Sequence, residues 1–317
     1  MFIEQGIRKE NKFWKYLVGS ILIILASGIG QIPLLVALMM QSFASGKGLP
    51  TDQNSIMEML DSNLALFLIL VSFLFAIGGI YFVVKYLHQQ TMIEITTTRK
   101  KLDFKRIGFA FLIWASLTIV TTILDYWMSP QDFVITFQPQ PFLILLVIGT
   151  LMIPIQTTCE ELVFRGYLMQ GFGNLSLNKW FPLLMTSTIF GLMHIFNPEI
   201  EKMGYIVLIY YIGTGLFLGI ITLMDEGMEL SLGFHAANNL IGALLVTADW
   251  SAFQTASILK DVSDPSVAID TFLPVIIIYP ALLFVFGRKY RWTHWREKLT
   301  GEISTKHLEH HEHTNLS

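Results

Sequence analysis

Charge is scarce in this chain of 317 residues: only 14% are Asp, Glu, Lys or Arg, against about 25% in soluble domains. The net charge of −3 provides no basic surface, so nucleic acid is not an expected partner. A single cysteine, Cys159, excludes an intrachain disulfide framework. No internal repeat is visible, which gives no support to a transporter built from inverted repeats. What the chain has in abundance is apolar residues, 53% of the total, and a mean hydropathy of +0.56. They lie in long runs, which bilayer thickness explains and a soluble core does not. The reading is an integral membrane protein, all-α, folded as a polytopic bundle of about eight spans.

The expected spans are Phe13–Met40, Leu64–Tyr86, Ile107–Trp127, Phe142–Gln170, Trp180–Phe196, Tyr205–Leu223, Leu230–Thr247 and Phe272–Phe286, the last being the shortest. The first run is too long for the core of a cleavable signal and reads as a signal anchor. Basic residues cluster at Arg8, Lys9, Lys12 and Lys15, again at Arg99, Lys100, Lys101, Lys105 and Arg106, and again from Arg288 to Lys298. With eight spans these segments share one side, which the positive-inside rule makes cytoplasmic, so both termini are expected inside. The opposite loops agree. Lys47 is the only base in the first, and Asp249, Asp261, Asp264 and Asp270 outnumber Lys260 in the last. Trp14, Trp127, Trp180, Trp250 and Trp292 fall near span ends, where interfacial aromatics belong. The tail, with His307, His310, His311 and His313, reads as a solvated polar segment.

Ionisable groups at bilayer depth cost about 2.5–3.5 kcal/mol each, so each needs a reason. Glu160 and Glu161 on the fourth span, His194 on the fifth and His235 on the seventh call for one, and Asn239 adds an amide one turn beyond His235. Neighbouring helical residues point about 100° apart, so the two glutamates are not expected to face one cavity. Arg165 stands four residues after Glu161, the spacing of a same-face ion pair. That leaves Glu160 free to face a polar site, where a carboxylate in a low dielectric suits general acid–base work. Pro154 is expected to kink this helix. Phe190 and His194 share the four-residue spacing, as do His235 and Asn239. At ~1.5 Å per residue, Glu160, His194 and Asn239 lie roughly 15, 20 and 13 Å from the cytoplasmic ends, compatible with one layer.

The runs Glu160–Arg165 (EExxxR), Phe190–His194 (FxxxH) and His235–Asn239 (HxxxN), in that order on three spans, resemble the motifs of the CAAX prenyl-protease and bacteriocin-processing family, also called CPBP or Abi. The resemblance covers Glu160 to Asn239, and the residues before about 140 carry none. It implies cleavage of a peptide bond within the membrane. Glu160 and His194 would activate water, His235 and Asn239 would hold the oxyanion, and Glu161, Arg165 and Phe190 would support them. An amide NH2 suits an oxyanion and is a poor metal ligand. The family is also described as metalloprotease, and Glu160, His194 and His235 could ligate zinc. No cofactor is otherwise expected.

The implied division is 1–141 for three N-terminal helices, 142–250 for the catalytic core, 251–290 for an external loop with the last span, and 291–317 for a cytoplasmic tail. The expected partners are a membrane-embedded peptide or lipidated protein substrate and membrane lipids, and the expected location is a bacterial inner (cytoplasmic) membrane. Two rival classes are a non-catalytic scaffold or bacteriocin-immunity protein and a proton-coupled transporter. Cys159 beside Glu160 reads as a small buried hydrophobe, and Gly215 with Gly219 as a close helix contact.

Overall fold

A computed structural model describes residues 1–8, 10–46, 48–50, 53–265 and 271–304. Lys9, Lys47, Asp270 and the histidines of the tail, His307 to His313, lie outside the described residues. The chain is an all-α helical bundle, as its long apolar runs require: a backbone in lipid must satisfy its hydrogen bonds within its own helix.

Helices α1 (Phe13–Gly30) and α2 (Ile32–Ser45) form one 33-residue path. After the short α3 (Gln53–Met59), α4 (Ser62–Phe82) starts on Asp61, whose carboxylate accepts the N–H groups of Asn63 and Leu64. Helix α5 (Phe104–Met128) starts on Asp103 in the same manner. Helix α6 (Pro139–Glu161) continues through a π-helical turn, Leu162–Leu168, into α7 (Met169–Ser176), 38 residues in all. There follow α8 (Trp180–Leu192), α9 (Pro198–Met203), α10 (Leu208–Asp225), α11 (Glu229–Leu245), α12 (Tyr279–Tyr290) and α13 (Trp295–Thr300).

Among the described residues six segments are long and apolar enough to cross a membrane: Phe13–Ser45, Ser62–Leu87, Phe104–Met128, Pro139–Ser176, Tyr205–Asp225 and Thr271–Tyr290. The fifth and seventh expected spans are shorter, at 13 residues for α8 and 17 for α11. The shortest is therefore α8 and not the last, which has 20 residues. Helix α8 stops early because the chain turns from Met193 to Asn197 ahead of Pro198. Helix α11 carries Glu229, Ser231 and His235, all buried by neighbouring helices. Elsewhere large apolar side chains face outward, among them Ile24, Ile123, Leu151 and Phe284, a pattern that suits lipid.

Loops meet at two opposite ends. At one, the Phe2 N–H donates to Glu226, Gln5 to the Thr97 carbonyl at 3.2 Å, Arg99 to Asp225 at 3.1 Å and Glu229 at 3.0 Å, and Lys298 to the Met224 carbonyl at 2.9 Å. At the other, three short strands form a sheet that composition did not suggest. Strand β1 (Phe133–Ile135) runs antiparallel to β3 (Leu259–Asp261), and β2 (Val246–Thr247) parallel to it, in the order β1-β3-β2.

Two helix contacts position the interior. The GxxxG of α10 packs on α8 as expected: a methyl group at Gly215 would meet the Ser187 carbonyl at 2.9 Å, and one at Gly219 the Leu183 side chain at 2.5 Å. At Gly233 a methyl would stand 2.1 Å from the Ile107 carbonyl, so α11 lies directly against the α5 backbone. That approach joins α5 to the central polar residues.

Candidate active site

Glutamates 160 and 161 end the regular part of α6, where the winding changes to the π turn. Such turns insert one extra residue per turn and are frequent at functional sites. The helix runs on through Pro154, so the irregularity falls after the glutamates and not at the proline.

Glu161 is fully buried and does what its spacing predicts: Arg165 Nη1 donates to Glu161 Oε1 at 3.0 Å, and both side chains are wholly enclosed. Arg165 also donates through Nη2 to the Gly215 carbonyl at 3.2 Å, and its guanidinium lies 4.4 Å from the centre of the Phe190 ring. Phe190 supports the cation by its π face.

His235 reaches both carboxylates. Its Nδ1–H donates to Glu161 Oε1 at 2.8 Å, while Nε2 stands 3.5 Å from Glu160 Oε2. The two glutamates point apart on α6, yet one imidazole stands beside both. An imidazole has nitrogens on opposite sides of its ring, and so links two groups that diverge on their own helix. Of the three, Glu160 keeps the largest exposure, 18% against 6% for His235 and 0% for Glu161. It is the one carboxylate of the pair that is not fully enclosed.

Nor is Glu160 unpartnered. The side-chain amide of Gln156, one turn earlier, donates to its Oε1. Asn239 Nδ2 in turn donates to Gln156 Oε1 at 3.1 Å, and Asn238 Nδ2 to Asn239 Oδ1 at 3.0 Å. Trp114 Nε1–H, from α5, completes the series with a 3.1 Å bond to Asn238 Oδ1.

His194 belongs to the turn just past α8, not to the helix itself. Its four-residue relation to Phe190 survives: Nδ1 bonds the Phe190 carbonyl at 2.7 Å, with the rings 4.8 Å apart. Tyr211 stacks on the imidazole at 4.2 Å. Held by two rings and at Nδ1, His194 has Nε2 left for chemistry, and Glu160 is close enough to act on it electrostatically. Behind Tyr211, burial pushes the Glu199 carboxyl on α9 above the usual carboxylate range, although the Ala252 N–H donates to it at 2.8 Å.

The zinc set fares differently. Among the described residues no group of three His, Cys, Asp or Glu is gathered closely enough to hold a metal ion. Glu160, His194 and His235 therefore do not form the expected triad of ligands in this arrangement, since His235 and Glu160 are turned toward protein partners.

Sequence reasoning missed Gln156, Trp114, Asn238 and Tyr211. Gln156 had a signal, being an amide in an apolar run one turn before Glu160. Asn238 lay inside a quoted motif. Trp114 and Tyr211 gave none, because only packing brings their helices to the site.

Residues 139–241 match the model of the family described as "Type II CAAX prenyl endopeptidase Rce1-like". The matched segment contains all three motifs, and the resemblance drawn from them is borne out there. Over 293 residues the chain is 28% identical to "Uncharacterized protein YyaK" of Bacillus subtilis (strain 168), covering 92% of this chain and 96% of that protein. No solved structure matches.

Proposed function

We propose, from the match of residues 139–241 to the Rce1-like family, that this protein is an intramembrane endopeptidase that cleaves with a glutamate-activated water. The observation that carries the reading is the approach of His235 Nε2 to Glu160 at 3.5 Å, with His194 near enough to Glu160 to feel its charge and Glu160 alone of the carboxylate pair partly exposed. A water beside Glu160 and His194 Nε2 would lose a proton to Glu160 as its oxygen attacks the scissile carbonyl. The carbonyl oxygen, now negative, would be held by an Asn239 N–H and by the Nε2–H of His235 as the imidazolium, whose Nδ1–H stays on Glu161. The peptide C–N bond then breaks, and the proton on Glu160 passes to the departing amine. Glu161 and Arg165 keep His235 in place. No step is routed through a metal, because the donor set does not converge on one.

The basic end of the bundle would face the cytoplasm, with eight crossings in a bacterial inner membrane. The substrate class is a membrane-embedded or lipidated peptide, since the site lies between apolar helices. The test uses detergent-solubilised protein on a quenched prenyl-peptide and a bacteriocin leader peptide, comparing wild type with Glu160→Ala, with and without chelator. Cleavage abolished by the mutation and untouched by chelator supports the proposal. Cleavage lost to chelator replaces it with a metal mechanism. A cellular role that survives Glu160→Ala overturns the peptidase reading in favour of a scaffold.

A further inference from the structure

We propose that Trp114, Asn238, Asn239 and Gln156 form a one-directional hydrogen-bond chain that fixes the Glu160 carboxylate in its working orientation, so that Trp114 is a positioning residue acting from outside the family core. The role given to Glu160 rests on the peptidase reading, whereas the chain itself rests on geometry.

Direction follows from the chemistry of the two ends. An indole N–H can only donate. It therefore obliges Asn238 to present its carbonyl to Trp114, at 3.1 Å, and its NH2 to the next residue. Asn239 must then present its own carbonyl to Asn238 and its NH2 to Gln156, at 3.0 and 3.1 Å. Gln156 is left with its NH2 toward Glu160, and a carboxylate can only accept. Each of the three amides could turn by itself, but with a donor-only group at one end and an acceptor-only group at the other, a single sense of the chain remains. Every member donates toward Glu160.

The supports of the chain are built into the helices. Trp114 is nearly buried, its ring 4.4 Å from Phe234 and 6.2 Å from Tyr279. Gly233 admits the α5 backbone to α11 and so brings the indole within reach of Asn238. Gln156 and Glu160 are four apart on α6, and one face of that helix carries both. Three helices thus converge on one oxygen of Glu160, leaving the other beside His235. Such bonds polarise one another in a low-dielectric interior, and a group at the far end is felt at the near one.

The experiment compares Trp114→Phe, which keeps a packed ring and deletes the N–H, with Gln156→Met, which keeps length and deletes the amide, and with the double variant. On the quenched prenyl-peptide each single change is expected to lower kcat about ten- to a hundredfold with KM changed by less than about threefold. The double variant should be about as slow as the slower single one, since breaking one chain twice costs little more than breaking it once. Multiplying effects, a loss confined to KM, or an unaltered Trp114→Phe would overturn the chain.

A second readout needs no substrate. The infrared carboxylate band that disappears in Glu160→Ala should move in both Trp114→Phe and Gln156→Met, while thermal unfolding shows that each variant is folded. A band that stays in place in Trp114→Phe refutes the chain even if the peptidase reading stands. An active Glu160→Ala refutes the role given to Glu160, and a wild type that cleaves no peptide refutes the peptidase reading; in either case the carboxylate band, compared between wild type and Trp114→Phe, still decides the chain.

Discussion

Arg165 offers the sharpest test of how the centre is held together. It is wholly buried, paired with an equally buried Glu161 at 3.0 Å, and stacked on Phe190. Replacing it by Met keeps most of the volume but leaves the Glu161 carboxylate enclosed without its guanidinium, with His235 and Ser231 beside it. Removing one member of a buried ion pair costs about 3–5 kcal/mol, because the remaining charge stays out of water without compensation. Removing the charge as well should relieve that cost. In Glu161→Gln/Arg165→Met the amide carbonyl can still accept the His235 N–H, and the remaining penalty is that of an imperfectly paired amide, about 1–3 kcal/mol. The double variant should therefore be more stable than Arg165→Met alone by about 2 kcal/mol. Reversible unfolding in mixed micelles, followed by tryptophan fluorescence, measures both. A double variant destabilised by the sum of the two single effects would refute the reasoning, since Arg165 would then act through its packing on Phe190 and its bond to the Gly215 carbonyl.

Two further predictions concern the end of the bundle that carries the basic residues. His88 sits buried between Asn11 and Tyr167, with ring nitrogens 3.0 Å from each, and burial aided by nearby Lys15 pushes its pKa down from 6.5 to about 4. The folded state thus favours neutral His88. Its contribution is complete above pH 6.5, falls as the pH drops through the window from 6.5 to about 4, and amounts to about 3 kcal/mol; melting curves of wild type should slope across that window, and a His88→Gln variant that slopes equally would remove His88 as the cause. At Gly166, in the π turn, a methyl would stand 2.6 Å from the Ile95 carbonyl. Gly166→Val should cost about 1–3 kcal/mol through backbone displacement, seen as a lower unfolding midpoint, and an unchanged midpoint would contradict the close approach.

Much of this protein was legible without coordinates, for reasons that act locally. Bilayer hydrocarbon selects long apolar runs, and an apolar run in lipid has only a helix in which to satisfy its backbone, so the all-α bundle followed from composition. Helical periodicity is equally local, which is why the Glu161–Arg165 pair and the relation of His194 to Phe190 could be read from four-residue spacings. The same reasoning does not reach across helices. That one imidazole from α11 stands beside both glutamates, and that His194 falls on the turn between α8 and α9, is set by how the elements pack. Trp114 shows the limit most clearly. It lies more than a hundred residues from Asn238 in a stretch without family motifs, and in sequence it is one more aromatic in an apolar span. Only the contact of α5 with α11, made close by the missing side chain of Gly233, turns its N–H toward the amides that lead to Glu160. Spacing along one helix is written in the order of residues, whereas which helices touch, and through which faces, is settled by packing across the whole bundle.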